Sequence, residues 1–230
     1  MDWQCTEFRR IAAALPEAAV QLHGSTARPE QLDGWSDLDL RLVTDEPVPV
    51  AVLGADLWAY EDVRTPGTEV CRMVLADGRR IDVAITGAGR IGGLRPAPDN
   101  DVRFLAALAA AKLGRGDKLI GGHLALEVLR ACLVVAMQLR DRDLGTTVHR
   151  TGGDRDRYAD RVFGVAAVPP AITPRPNIVE RAVELYAGWR CELDPDYVPD
   201  WRPLARLIDR GLQSAGPSPG SGSGSGPGLR

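Results

Sequence analysis

The most constraining feature of this chain is a change of period near its middle. Up to about residue 98 the apolar residues come in short runs, at 18–22, 38–43, 70–75 and 81–85, separated by clusters of Gly, Pro and Asp. Those are strand-length runs punctuated by turn formers. From about residue 100 to 213 apolar positions recur at helical spacing instead, over 102–113, 119–139, 177–191 and 204–212. Pro96 and Pro98 stand where one pattern gives way to the other. An amphipathic helix over 6–14, with Phe8, Ile11, Ala12 and Leu15 on one stripe, leads into the first strand. This order predicts an α+β chain with a small mixed-sheet domain at 1–98 and a helical bundle domain at 99–213. A tail follows at 214–230, too poor in apolar groups to offset chain entropy and expected to be flexible.

Composition narrows the function classes. With 230 residues and 44% of them hydrophobic, the chain can bury a real core. Its 28 Lys+Arg against 31 Asp+Glu give a net charge of −3, which carries no footprint for duplex nucleic acid or an anionic membrane. No uninterrupted apolar run approaches the roughly 20 residues of a bilayer span. Cys5, Cys71, Cys132 and Cys191 lie far apart, at neither metal nor disulfide spacing, and His123 and His149 have no partner at zinc-ligand spacing. The expectation is a cytoplasmic protein with no membrane partner.

The chemistry is concentrated in acids. Leu22-His23-Gly24-Ser25 runs from a strand into a turn, and twelve residues after Ser25 comes Asp37-Leu38-Asp39-Leu40. On a strand Asp37, Asp39 and Arg41 share one face while Leu38, Leu40 and Leu42 share the other. The two carboxylates then lie about 7 Å apart along the backbone, close enough to converge on one divalent cation. Asp82 interrupts the apolar strand at 81–85, where a carboxylate is costly without a metal or a partner. Asp77-Gly78 predicts a tight two-residue turn, which would set Val74 opposite Ile81 and Met73 opposite Asp82. In that register Asp82 shares a face with Met73, Cys71 and Glu69, and Arg72 joins the core face. Gly24-Ser25, lacking one Cβ, leaves backbone N–H groups and a hydroxyl free to approach a phosphate.

Gly24-Ser25, Asp37-x-Asp39 and a later-strand Asp82 resemble the polymerase-β-like nucleotidyltransferase superfamily, and within it the streptomycin-type aminoglycoside adenylyltransferases. The likeness covers 22–43 and 79–85; over 100–213 only helical content and order match. It implies a nucleotidyltransferase domain followed by a helical substrate-binding domain, ATP as co-substrate, and Mg²⁺, two ions, as cofactor. AMP would pass to a hydroxyl of a small molecule such as an aminoglycoside-like antibiotic. Carried over, Gly24 and Ser25 hold the outer phosphates, and Asp37, Asp39 and Asp82 ligate metal. Asp82 is the base, with Glu69 a second candidate, and Arg28, Arg41 and Lys112 meet the triphosphate. Two other roles stay open at this point. One is adenylylation of a protein hydroxyl in a toxin–antitoxin pair, which the length of 100–213 disfavours. The other is a non-catalytic nucleotide-binding module, disfavoured by the presence of all three acids. Trp35 is expected to pack against the sheet, and Trp58, Trp189 and Trp201 to anchor the core.

Overall fold

The computed structural model describes residues 2–28, 30, 32–54, 56–145, 154–167 and 176–214. The tail expected to be flexible beyond Ser214, and His149, lie outside the described residues. Helix α1 (Asp2–Ala14) leads into β1 (Ala19–Leu22), then a single turn of tighter helix (Gly24–Ala27) and β2 (Leu38–Val43). Short β3 (Val48–Pro49) and α2 (Val50–Leu53) precede the meander β4 (Leu57–Thr65), β5 (Thr68–Leu75) and β6 (Arg80–Thr86), and β7 (Ile91–Gly92) closes this part. Five strands form one mixed sheet in the order β1-β2-β6-β5-β4, parallel only between β2 and β6.

Alternation decides what each strand buries. Leu38, Leu40 and Leu42 of β2, with Ile81, Val83 and Ile85 of β6, form a core under α1 that also takes in Ile11, Cys71 and Met73. Odd and even positions of β2 then send Asp39 to the opposite side.

The β5–β6 connection corrects the expected register. Leu75 N donates to Arg79 O at 2.9 Å and Gly78 N donates to Leu75 O at 2.9 Å. The loop is therefore three residues long, with Gly78 alone at positive φ (81°). A two-residue turn of the expected type needs positive φ at Asp77 as well, and no described non-glycine residue adopts it. The longer loop slips the pairing by one, so Arg72 opposes Asp82 and Met73 opposes Ile81. A one-residue slip moves every side chain of β5 to the other face. Arg72 accordingly leaves the core, while Glu69, Cys71 and Met73 enter it.

Among the described residues five α-helices follow: α3 (Asn100–Gly114), α4 (Lys118–Leu144), α5 (Arg157–Ala166), α6 (Asn177–Leu193) and α7 (Arg202–Ser214). They share a second core, centred on the buried alanines of α3 and on Val128, Cys132, Val179 and Trp189. Small side chains on α3 let α4 approach closely. By length and composition α4 would suffice to cross a membrane, which the shorter uninterrupted runs had not suggested. Here it buries Val128, Leu129, Cys132 and Leu139 against its neighbours.

The second core continues onto the sheet through Trp58, Ala59 and Val74, on the side away from α1. Asn100 binds the edge strand there as another strand would, its Oδ1 accepting from Tyr60 N at 3.0 Å and its Nδ2 donating to Tyr60 O at 2.9 Å. Trp58 Nε1 donates to Asp200 O at 2.7 Å, and Trp58 meets Trp201 edge to face at 5.7 Å. The helices thus cover one end of the acid-bearing face and leave the other open.

Gly78 tests this turn. A Cβ there would meet the backbone of α7 at Leu207 as well as the strained φ. Gly78→Ala should cost about 1–2 kcal/mol or more, about 2–8 °C in melting temperature, measured by thermal unfolding.

Candidate active site

The parallel pairing of β2 with β6 sets Asp39 directly opposite Asp82. Asp37, just before β2, completes a group of three partly buried carboxylates whose nearest oxygens all lie within 4.8 Å of one another. Such an all-oxygen set could hold a divalent cation. Without one, the negative charges repel across a half-buried space, and the surroundings act to hold them.

Each acid is held differently. Gly24, at φ 54°, turns the chain so that Ser25 N and Ser25 Oγ both donate to Asp39 Oδ2, at 3.0 and 2.9 Å. Thr26 Oγ1 accepts from Asp39 N at 2.8 Å and donates to Asp37 O at 3.4 Å, tying the turn to the start of β2. Asp37 Oδ2 accepts from Arg80 Nη2 at 2.8 Å. Asp82 has the weakest support, with Arg72 Nε at 3.7 Å from its Oδ2. Burial above all, then the charge on Asp37 and that on Asp39, pushes its carboxyl up to about 7 from an ordinary 3.8, against the opposing pull of Arg80 and Arg72. A cation bound among the three would draw it back down, because the metal becomes the largest local charge.

Asp37 and Asp82 open onto a cavity of about 360 Å³ between sheet and helices. Asp37, Arg72, Arg80 and Asp82 line it from the sheet, and Lys112 and Arg115 from the end of α3. Each of these cations already has an acidic neighbour. Arg72 binds Glu61 at 2.7 Å, Arg115 binds Asp33 at 3.0 Å, and Lys112 stands 3.9 Å from Asp117.

The residues anticipated from sequence fall into three groups. Asp37, Asp39, Asp82, Gly24 and Ser25 come together, and Lys112 faces the same cavity from α3. In this arrangement both Ser25 donors are spent on Asp39, so the turn orients a carboxylate. Arg41 is exposed on β2, two residues beyond Asp39, and Arg28 is exposed just after the Gly24–Ala27 turn. Glu69 is a correction. It is 0% exposed on the opposite face of the sheet, where one carboxylate oxygen accepts from Ile91 N at 2.9 Å and the other lies 3.1 Å from Arg64. The slipped register put it there, and it cannot reach the acids as a base. Burial raises its pKa, more strongly than its bond from Ile91 N lowers it.

Arg80, Arg72, Thr26 and Arg115 were missed in the sequence. Arg80 was discoverable, because strand alternation puts it on the same face as Asp82 two residues on. Arg72 required the correct turn, and Arg115 required knowing that the end of α3 meets the loop carrying Asp33 and Ser36, about 80 residues earlier. Trp35 is also corrected: it packs between α3 and α7, with Gly114 and Gly211 against its ring.

No family model matches the chain, and no curated protein matches it. Among solved structures it is similar to one reported under "Structural Basis for the Activity of a Cytoplasmic RNA Terminal U-transferase", at 12% identity and a TM-score of 0.24. The match covers 86% of this chain and 66% of that one, so this chain spans just under two thirds of its length. At that score the likeness carries no weight for fold or function.

Two outcomes check the site. A folded-state pKa near 7 at Asp82 means the ionised carboxylate costs nothing below about pH 4, costs more as pH rises, and costs most above 7. In metal-free buffer Asp82→Asn should therefore melt higher than wild type at pH 8, by about 2–4 °C per kcal/mol relieved, and equally at pH 4. By contrast, Glu69→Ala strands the Ile91 N–H in the interior, so it should melt lower while Mn²⁺ affinity, followed by titration calorimetry, stays at the wild-type value.

Proposed function

We propose that this chain is a Mg²⁺-dependent nucleotidyltransferase that moves AMP from ATP to a hydroxyl of a small molecule. The observation that carries this reading is the gathering of Asp37, Asp39 and Asp82 at the paired strands β2 and β6, beside a Gly-Ser turn, with Asp37 and Asp82 lining a cavity that also carries basic side chains. The sequence resemblance to nucleotidyltransferases concerns the same residues.

Asp37 and Asp39, with Asp82 beside them, would hold the cations. A divalent metal held there would supply charge neutralisation for a triphosphate and Lewis acidity toward its phosphoryl oxygens. Arg72, Lys112 and Arg115 line the cavity and are suited to the oxygens of a triphosphate. Asp82 orients the acceptor hydroxyl and takes its proton. The acceptor oxygen attacks the α-phosphorus in line, the bond to the bridging oxygen of the β-phosphate breaks, and pyrophosphate leaves with that electron pair. Asp82 then returns the proton to solvent.

A cavity of about 360 Å³, bounded on one side by α3 and α4, is of a size to take a small acceptor. An aminoglycoside-like antibiotic is the acceptor class to try first, on the resemblance alone. The four free thiols suit a reducing compartment, and we place the protein in the cytoplasm.

The test is pyrophosphate release from each nucleoside triphosphate with Mg²⁺ across aminoglycosides, lincosamides and nucleosides. Wild type should release pyrophosphate with at least one acceptor, and Asp39→Asn and Asp82→Asn should lose about 100-fold or more of that rate while remaining folded. Full activity in either variant would remove the mechanism.

A further inference from the structure

The last described helix reaches the metal-site loop from the far end of the sequence. Trp35, two residues before Asp37, is 5% exposed. Gly114 at the end of α3 and Gly211 within α7 lie so close to its ring that a Cβ on either would overlap it. α7 also grips the β5–β6 turn. Arg206 Nη1 donates to Ala76 O at 2.9 Å, Arg210 Nη2 donates to Asp77 O at 3.3 Å, and Gly78 abuts the α7 backbone at Leu207. That turn launches β6, whose first residue is Arg80.

Arg80 closes the circuit. Its Nη2 donates to Trp35 O at 3.0 Å and to Asp37 Oδ2 at 2.8 Å, and the residue is only 8% exposed. A guanidinium so buried keeps its place only while both acceptors keep theirs. One acceptor belongs to the tryptophan that α7 wedges, and the guanidinium itself rises from the turn that α7 holds. Arg115 pins the same loop, donating from Nη2 to Ser36 Oγ at 2.6 Å and to Asp33 Oδ1 at 3.0 Å. Loop and arginine are therefore both referenced to the helices, and Asp37 is referenced to the arginine.

We propose that Arg80 and Trp35 are positioning residues, and that α7 acts through them to set the geometry in which Asp37 binds metal. The Asp39 carboxylate is held within the sheet part by Ser25; the Asp37 carboxylate is held by Arg80 of β6, whose own place depends on Trp35 and on the turn that α7 grips. The carboxylates thus converge only when the helices are docked. Metal affinity falls about 10–100-fold when an outer partner of a ligand is lost, since a ligand oxygen tolerates little displacement. This inference rests on the metal-binding reading of the three acids.

The experiment is Mn²⁺ titration of the full chain, followed by electron paramagnetic resonance, with folding checked by circular dichroism and thermal melting. Gly211→Ala, on a helix that supplies no ligand, should remain folded and raise the Mn²⁺ dissociation constant about 10-fold. Arg80→Met should do the same, and Arg80→Lys should recover part of the loss, since its ammonium keeps the charge on Asp37 without the fixed fork. Gly188→Ala, in α6, is the control. A Cβ there meets nothing within 4 Å, and affinity should not change. If Gly211→Ala fails to fold, Trp35→Phe decides in its place. Folded Gly211→Ala and Arg80→Met with lowered melting temperature but wild-type Mn²⁺ affinity would overturn the coupling and leave the metal site standing. Failure of wild type to bind Mn²⁺ would bring down the metal reading and this inference together.

Discussion

Mutual repulsion among three carboxylates is the constraint around which the rest of the structure is arranged. Asp37, Asp39 and Asp82 sit with oxygens within 4.8 Å of one another in a half-buried space, and nothing in the sheet requires that. Hydrogen bonds from Ser25 to the Asp39 carboxylate and from Asp39 N to Thr26 Oγ1, an ion pair from Arg80 and a longer one from Arg72 restrain the group. These partners do not cancel the penalty, and burial still pushes the Asp82 carboxyl up to about 7. A fold that maintains such a cluster gives up stability for an arrangement that could hold a cation, the usual direction of exchange between stability and function.

The two cores serve that cluster in different ways. The core beneath α1 fixes strand identity and alternation, so that Asp39 and Asp82 emerge on one side. The helical core supplies the cavity's other wall, with Lys112 and Arg115 at the end of α3. Each cavity cation is already matched by a carboxylate, so Arg72, Arg80, Lys112 and Arg115 are held in place where they line the cleft. An incoming polyanion would find donors in place and need not order them.

Much of the site was legible from local pattern. Asp37 and Asp39 share a face because they are two apart on a strand, and Asp82 stood out as a lone acid among isoleucine and valine. The long helices and four of the strands followed from period, whereas β4, whose apolar start at Leu57–Tyr60 gives way to charged residues, was not anticipated. The errors trace to single residues. Gly78 takes positive φ alone, so the turn gains a residue, Arg72 replaces Met73 beside Asp82, and Glu69 passes to the interior. Trp35 could not be placed from its neighbours, because the glycines that receive it are 79 and 176 positions further along the chain, at Gly114 and Gly211.

By itself, then, the order of residues determined which side chains share a strand face, where sheet gives way to helix, and which acids could act together. Those properties depend on periods of two and 3.6 residues, which neighbouring positions enforce on one another. Only the tertiary structure decided that β2 lies parallel to β6 with Asp39 against Asp82, that the β5 register slips by one, and that α7 returns to wedge Trp35. Those choices depend on packing between segments far apart in the chain, where a single turn conformation or a missing Cβ sets the outcome and leaves no periodic trace.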